Sequence, residues 1–238
     1  MTVPTPLPGS PISNTRQRTV LIVDIAYGIG YQLAKRFLAK DMNWRVCGTV
    51  IKWPPTLINA LKPNIQDLKR AGAEVQGVSV NDQNILAYFG ERLPSIDLLI
   101  LAGFVDKCCY SGVEVWDMLE NFRTMTVGPL LAMTFARDRL LQSAGPKVVN
   151  IAPLLGSIND NTTGGYMIFR MCKAALNQGV VTRARDLEKG GSRIIVASIE
   201  PGEADNEDHV TGVMNVIQRL SSNDHCAWLR WDGTTVVY

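Results

Sequence analysis

A short apolar run, Thr19-Val20-Leu21-Ile22-Val23, leads through Gly28-Ile29-Gly30 into Tyr31 to Lys40, where Leu33, Ala34, Phe37 and Leu38 share one helical face. A strand without a polar side has to be covered on both faces, and a helix that follows within a few residues is its natural cover. Strand, glycine turn and helix in this order open a nucleotide-type fold.

The same alternation runs on. Arg45 to Ile51 reads as a second strand, stopped by Pro54-Pro55, and Leu57 to Arg70 as a helix that Pro63 should interrupt. Gly77 to Val80 is a third strand, Ile85 to Leu93 a helix, and Ile96 to Gly103 a fourth strand, apolar on both faces. Val115 to Leu141 has a long helical pattern with a break expected near Gly128-Pro129. Lys147 to Ile151, Tyr166 to Lys189 and Arg193 to Ile199 complete the series as strand, helix and strand. Such a chain is α/β, a doubly wound parallel sheet with helices on both faces, and its ligands are expected beyond the carboxyl ends of the strands. Residues 1–18 hold four of the twelve prolines and no apolar segment of the kind a secretion signal needs, so they read as a flexible arm. Residues 19–238 read as a single domain.

Charge narrows the function classes. With 24 Lys+Arg against 22 Asp+Glu, the net charge of +2 supplies no broad basic field for nucleic acid or an anionic membrane. The chain never reaches the roughly 18 uninterrupted apolar residues of a membrane span. Five cysteines form no Cys-x-x-Cys pair and only two histidines accompany them, so no metal set is read, and reduced thiols in the cytoplasm are expected. A small organic molecule is the expected partner.

Several separated motifs resemble the short-chain dehydrogenase/reductase superfamily from about Thr19 to Tyr238. Gly164-Gly165-Tyr166 through Phe169-Arg170 to Lys173-Ala174-Ala175-Leu176-Asn177, with a tail carrying Val210-Thr211-Gly212 and Trp231-Asp232-Gly233, is similar to its small carbonyl-reductase-like members. The resemblance implies a Rossmann-like domain and a homo-oligomer, dimer or tetramer, formed through the long helices around Leu119 to Leu141 and Arg170 to Lys189.

It also exposes what this chain lacks. The family's catalytic Asn, Ser, Tyr and Lys fall by resemblance on Met125, Pro153, Phe169 and Lys173, so only the lysine is left; the serine's neighbouring position, Ala152, has no hydroxyl either. In the cofactor loop the last two glycines persist as Gly28 and Gly30 around Ile29, able to present backbone to an anion at a helix start. The first glycine is Asp24, whose carboxylate beside a diphosphate would be repelled by about 4 kcal/mol at 4 Å and an effective dielectric near 20; facing solvent or capping the helix are its other readings. The basic residue for a 2'-phosphate is replaced by Ile51, with Lys52 as substitute, and the adenine-contacting Asp by Ser79.

These losses favour a repurposed enzyme that needs no cofactor and promotes a non-redox step, a cyclisation, isomerisation or rearrangement in specialised metabolism, inside an apolar chamber of Met125, Pro153 and Phe169 with Ser157 and Glu203 at its edge. Tyr166, Lys173 and Asp160 are the candidate catalytic groups. Each has a plainer reading: Tyr166 as a loop or packing residue, Asp160 as a turn residue within Asn159-Asp160-Asn161, Lys173 as a helix-surface charge. An NADP(H)-dependent reductase of an activated carbonyl or imine, holding its cofactor through Gly28, Ile29, Gly30, Lys52 and Lys173, is one alternative. A catalytically silent interaction subunit is the other.

Overall fold

The computed structural model describes residues 16–51, 55–78, 92–103 and 114–238. Among these, seven strands run parallel in one sheet: β1 Arg18–Val23, β2 Trp44–Ile51, β3 Glu74–Val78, β4 Leu98–Leu101, β5 Lys147–Ile151, β6 Ile195–Glu200 and β7 Trp228–Arg230. Their order is β3-β2-β1-β4-β5-β6-β7. The chain moves outward from β1 to β3 and then returns to lay β4 against the other side of β1, with Val20 opposite Leu98 and Val23 opposite Leu101. That reversal opens a crevice beyond the carboxyl ends of β1 and β4.

Alternation along the central strands divides the core in two. Val20, Ile22, Leu98 and Ile100 pack with Leu33 and Phe37 of α1 (Gly28–Phe37) and with Val213 and Ile217 of a later helix, Glu207–Arg219. Leu21, Val23, Leu99 and Leu101 face Met133 and Leu140 on one helix and Leu176 and Val180 on another. Both strands are therefore buried on two sides, as an all-apolar run requires.

Pro63 does not interrupt its helix: α2 runs unbroken over Pro55–Arg70. A proline inside a helix costs about 3 kcal/mol, but the helix is pinned on both sides of it. Leu61 and Leu68 are buried, and Asn64 Nδ2 donates to the Ala26 carbonyl at 2.9 Å. The break expected at Gly128-Pro129 sits one turn earlier. The chain passes from α3 (Val115–Phe122) through a π-helical turn, Arg123–Val127, into α4 (Gly128–Leu140). Pro129 has no N–H for the carbonyl four residues back, that of Met125, and its ring crowds that oxygen. The widened turn relieves both problems, and the Gly128 N–H donates to Arg123, five residues back.

The next helix, α5, spans Met167–Lys189, so Tyr166 stands just outside it. The third strand is Glu74–Val78, earlier than the sequence suggested, and β7 was not anticipated. The expected helix at 85–93, Lys52 and Ser79 lie wholly or mostly outside the described residues. The last helix, Glu207–Arg219, is α6. No described helix is long and apolar enough to cross a membrane.

Candidate functional site

Lys173 points from the second turn of α5 into the protein and is 1% exposed. Its Nζ donates to the Gly103 carbonyl at 2.7 Å, just after β4, and to the Ile151 carbonyl at 3.4 Å, the last residue of β5. The Phe169 ring, one turn back, has its centroid 5.8 Å from the ammonium. Carbonyl dipoles and an aromatic face are what an ammonium needs when it leaves water. Lys173 is thus a buried cation at the carboxyl edge of the sheet, and the helix-surface reading is excluded.

It lines a pocket of about 280 Å³ at the crevice between β1 and β4. Tyr27, Gly28 and Ile29 form one wall, Gly103 and Pro153 the floor beside Lys173, and Pro201, Gly202 and Ala204 the opposite wall. Gly28 has φ +47°, and a Cβ there would meet nothing within 4 Å, so the turn is open toward the pocket. Gly30 serves differently. A Cβ there would collide with the Asp24 carbonyl, so this glycine lets the loop close on itself.

Asp24 takes φ +66°, the left-handed conformation that a glycine adopts without strain and that Asp tolerates better than most residues. It is 4% exposed and does not line the pocket, while Tyr27 is the residue preceding α1. It does not face solvent.

The apolar chamber is corrected. Met125 and Phe169 are not among the described pocket lining. They pack with Ile168 and Cys172, with Met118 and Leu155 against them, in a buried cluster. Met125 lies in the π-helical turn and is fully buried. Of the expected chamber residues, Pro153 alone lines the pocket.

The remaining polar candidates serve the backbone. Ser157 is buried; its Oγ donates to the Val237 carbonyl at 3.3 Å and accepts the Asp160 N–H at 3.2 Å. It fastens the post-β5 loop to the C-terminal residues. Asp160 is exposed, a turn residue. Glu203 is exposed too, with its N–H donated to His209 Nδ1 at 2.9 Å. Tyr166, at φ +52° and 43% exposed, precedes α5 and is not part of the described pocket wall. Two glycines before it give the chain the sharp entry that places it there.

Burial pushes the Cys172 thiol up to about 11 and the Cys47 thiol up to about 12, so neither supplies a thiolate at neutral pH. A larger cleft, about 710 Å³, opens at the amino ends of the strands near Arg18, Trp44 and Lys147. Its charged groups are engaged: Asp97 accepts from Arg16, the Thr19 N–H and Ser143, and Lys147 donates to the Ile217 and Gln218 carbonyls, while the buried Trp44 Nε1 has no hydrogen-bond partner. In the smaller pocket the glycine turn and the buried cation meet.

The chain belongs to the short chain dehydrogenase family, which it matches over residues 18–212. It is 28% identical to an uncharacterized oxidoreductase of Saccharomyces cerevisiae over 263 aligned positions, covering 94% of this chain and all of that one. Its fold is that of the carbonyl-reductase-like members. It superposes on the carbonyl reductase Sniffer of Drosophila melanogaster with TM-score 0.77 at 20% identity, covering 94% and 100% of the two chains. The NADPH-bound carbonyl reductase from chicken fatty liver gives 0.75 at 23% identity, covering 94% and 95%.

The expectation of a chain without a cofactor is corrected by that membership and by the NADPH carried by a protein of the same fold. The sequence reading weighed lost side chains. A dinucleotide is gripped largely by backbone N–H groups at a glycine turn and helix start, and that part of the crevice is built here.

Proposed function

We propose that this protein is an NADP(H)-dependent reductase of an activated carbonyl or imine. The observation that carries this is the buried Lys173 ammonium lining the same pocket as the open Gly28 turn. The pocket's own residues suit the group: a left-handed Gly28 without crowding, the N–H groups of Gly28, Ile29 and Gly30 at the positive end of α1, and a cation fixed opposite. Those N–H groups would take the diphosphate and Lys173 the hydroxyl-bearing sugar next to the nicotinamide. A reduced nicotinamide supplies hydride.

The acid end of the site differs from the cofactor end. Phe169, Ala152 and Met125 present carbon where a relay would present hydroxyl and amide groups, and they are buried. Hydride added to a neutral ketone leaves an alkoxide that must take a proton. Hydride added to an iminium carbon converts C=N⁺ into a neutral amine, and no proton has to follow. An acceptor that arrives protonated or strongly polarised therefore matches this pocket better than a simple ketone. The non-redox step rested on the absence of a cofactor and loses its premise.

A homo-oligomer is part of the same reading. Val115, Trp116 and Leu119 on α3 and Met167 and Met171 on α5 are exposed apolar residues on two helices that touch, and burial against another copy would cover them.

Titrating NADPH and NADH into the purified protein by fluorescence, then following NADPH oxidation with a cyclic iminium and with its ketone counterpart, tests the proposal. Saturable NADPH binding with iminium turnover above ketone turnover is expected. Failure of both nucleotides to bind sinks it and leaves the silent subunit.

A further inference from the structure

The same pocket is lined by a turn, Glu200-Pro201-Gly202-Glu203, which leaves the β6 ladder at Glu200 and is held by side chains as well as by the Asn206 N–H donating to the Glu203 carbonyl at 3.1 Å. The Gly202 N–H donates to Glu200 Oε1 at 3.0 Å, and the Glu203 N–H donates to Nδ1 of His209 at 2.9 Å. His209 stands in the first turn of α6. Its ring lies so close to Gly202 that a Cβ at that position would collide with it. The other contact of the ring is Trp231, with centroids 4.4 Å apart and planes 38° apart. An Nδ1 that accepts a hydrogen bond has its lone pair toward Glu203.

We propose that His209 is a positioning residue for the pocket: by accepting the Glu203 N–H it fixes the Gly202–Glu203 turn, and so sets how tightly the pocket closes on a nicotinamide nucleotide. The inference rests on the reading of this pocket as the nucleotide site. Three observations support it. Pro201, Gly202 and Ala204 are pocket wall. Gly202 is at φ +64°, a conformation with little to hold it but its neighbours. The His209 ring is clamped between Gly202 and Trp231, and cannot turn away without losing both contacts.

Two substitutions separate the acceptor from the ring. His209→Phe keeps an aromatic ring against Trp231 and removes the acceptor. His209→Asn places an amide oxygen near the Nδ1 position and removes the ring. NADPH affinity measured by fluorescence titration is expected to fall about tenfold in His209→Phe, the scale of one hydrogen bond, and to recover in His209→Asn. Hydrogen exchange of the Glu203 amide is expected to speed up in His209→Phe and to remain slow in His209→Asn. Unchanged Glu203 exchange in His209→Phe overturns the positioning role, whatever happens to affinity. Faster exchange with unchanged NADPH affinity overturns the link to the pocket. If the wild-type protein binds no NADPH, the nucleotide reading fails and the affinity role with it, while the exchange result still shows whether His209 holds the turn.

Discussion

Replacing Lys173 by Met removes the buried charge and keeps most of the volume, so stability and binding should respond differently. The short bond to Gly103, at 2.7 Å, is charge-assisted and contributes about 1.5–3 kcal/mol; the 3.4 Å contact to Ile151 adds little. Against this stands the desolvation of an ammonium held at 1% exposure, an effective penalty of several kcal/mol that the substitution returns. The two nearly cancel. The melting temperature should therefore move by no more than about 4 °C, taking about 1 kcal/mol of net change in a chain of this size. Nucleotide binding has no such compensation, because losing one charge-assisted contact weakens affinity about 10- to 150-fold. The assay is NADPH titration by tryptophan fluorescence, paired with thermal unfolding with and without nucleotide. Lys173→Ala serves as the structural control: it leaves a cavity and should cost about 2–5 kcal/mol. A Lys173→Met protein that binds NADPH within about twofold of wild type, a difference under 0.5 kcal/mol, would refute the assignment of this lysine to the nucleotide.

Phe169→Tyr inserts a hydroxyl among Met125, Ile168 and Cys172, and should lower the melting temperature by about 2–12 °C, the scale of 1–3 kcal/mol for a buried unpaired group. It should not confer ketone reduction, because Ala152 and Pro153 still offer no hydroxyl; a spectrophotometric ketone assay checks this. Pro63→Ala, at an exposed position inside α2, restores a helical N–H and should raise stability by about 1–2 kcal/mol in urea unfolding once the looser unfolded chain is counted. The thiols set an alkaline limit. Cys172 and Cys47 ionise near 9 when unfolded, but only at about 11 and about 12 when folded. The unfolded chain releases those protons first, so stability falls as pH climbs above 9 and continues falling until the folded thiols ionise. Urea midpoints at pH 8 and pH 10 should show the loss, and Cys47→Ala should reduce it.

The sheet was legible because its strands are written as unbroken apolar runs and its first helix as a clean one-faced pattern. β7 was not, since three residues give no period, and its pairing to β6 depends on a chain return from α6 that local pattern cannot show. Pro63 was overweighted because helix propensity is local, whereas Leu61, Leu68 and Asn64 stabilise α2 through distant contacts. At the site, the glycine turn and Lys173 could be read from spacing. The burial of Met125 could not, because it sits in a π-helical turn that the helical period of the sequence does not reveal. Asp24 misled for a similar reason: its charge was visible in the sequence, while its left-handed backbone and buried position were not. His209 had a signal available, a histidine just after the Glu200-Pro201-Gly202 turn, but nothing in the sequence said that its ring would face Gly202.

Lys173 is hard to explain as a stabilising element. In the family relay, the lysine lowers the pKa of a tyrosine; here Phe169 occupies that position and has no proton to tune. Two carbonyls and a ring face satisfy the ammonium, yet apolar replacement of a buried charge is commonly neutral or stabilising. A group of that kind, fully buried and lining a pocket, fits a role in holding a ligand better than a role in holding the fold. The two halves of the relay can then be lost independently. On the proposed reading, removing the hydroxyls would abolish proton delivery and leave the lysine and glycine turn to hold a dinucleotide. What remains is suited to hydride acceptors that need no acid, and this difference between iminium and ketone is where the site's chemistry should show itself.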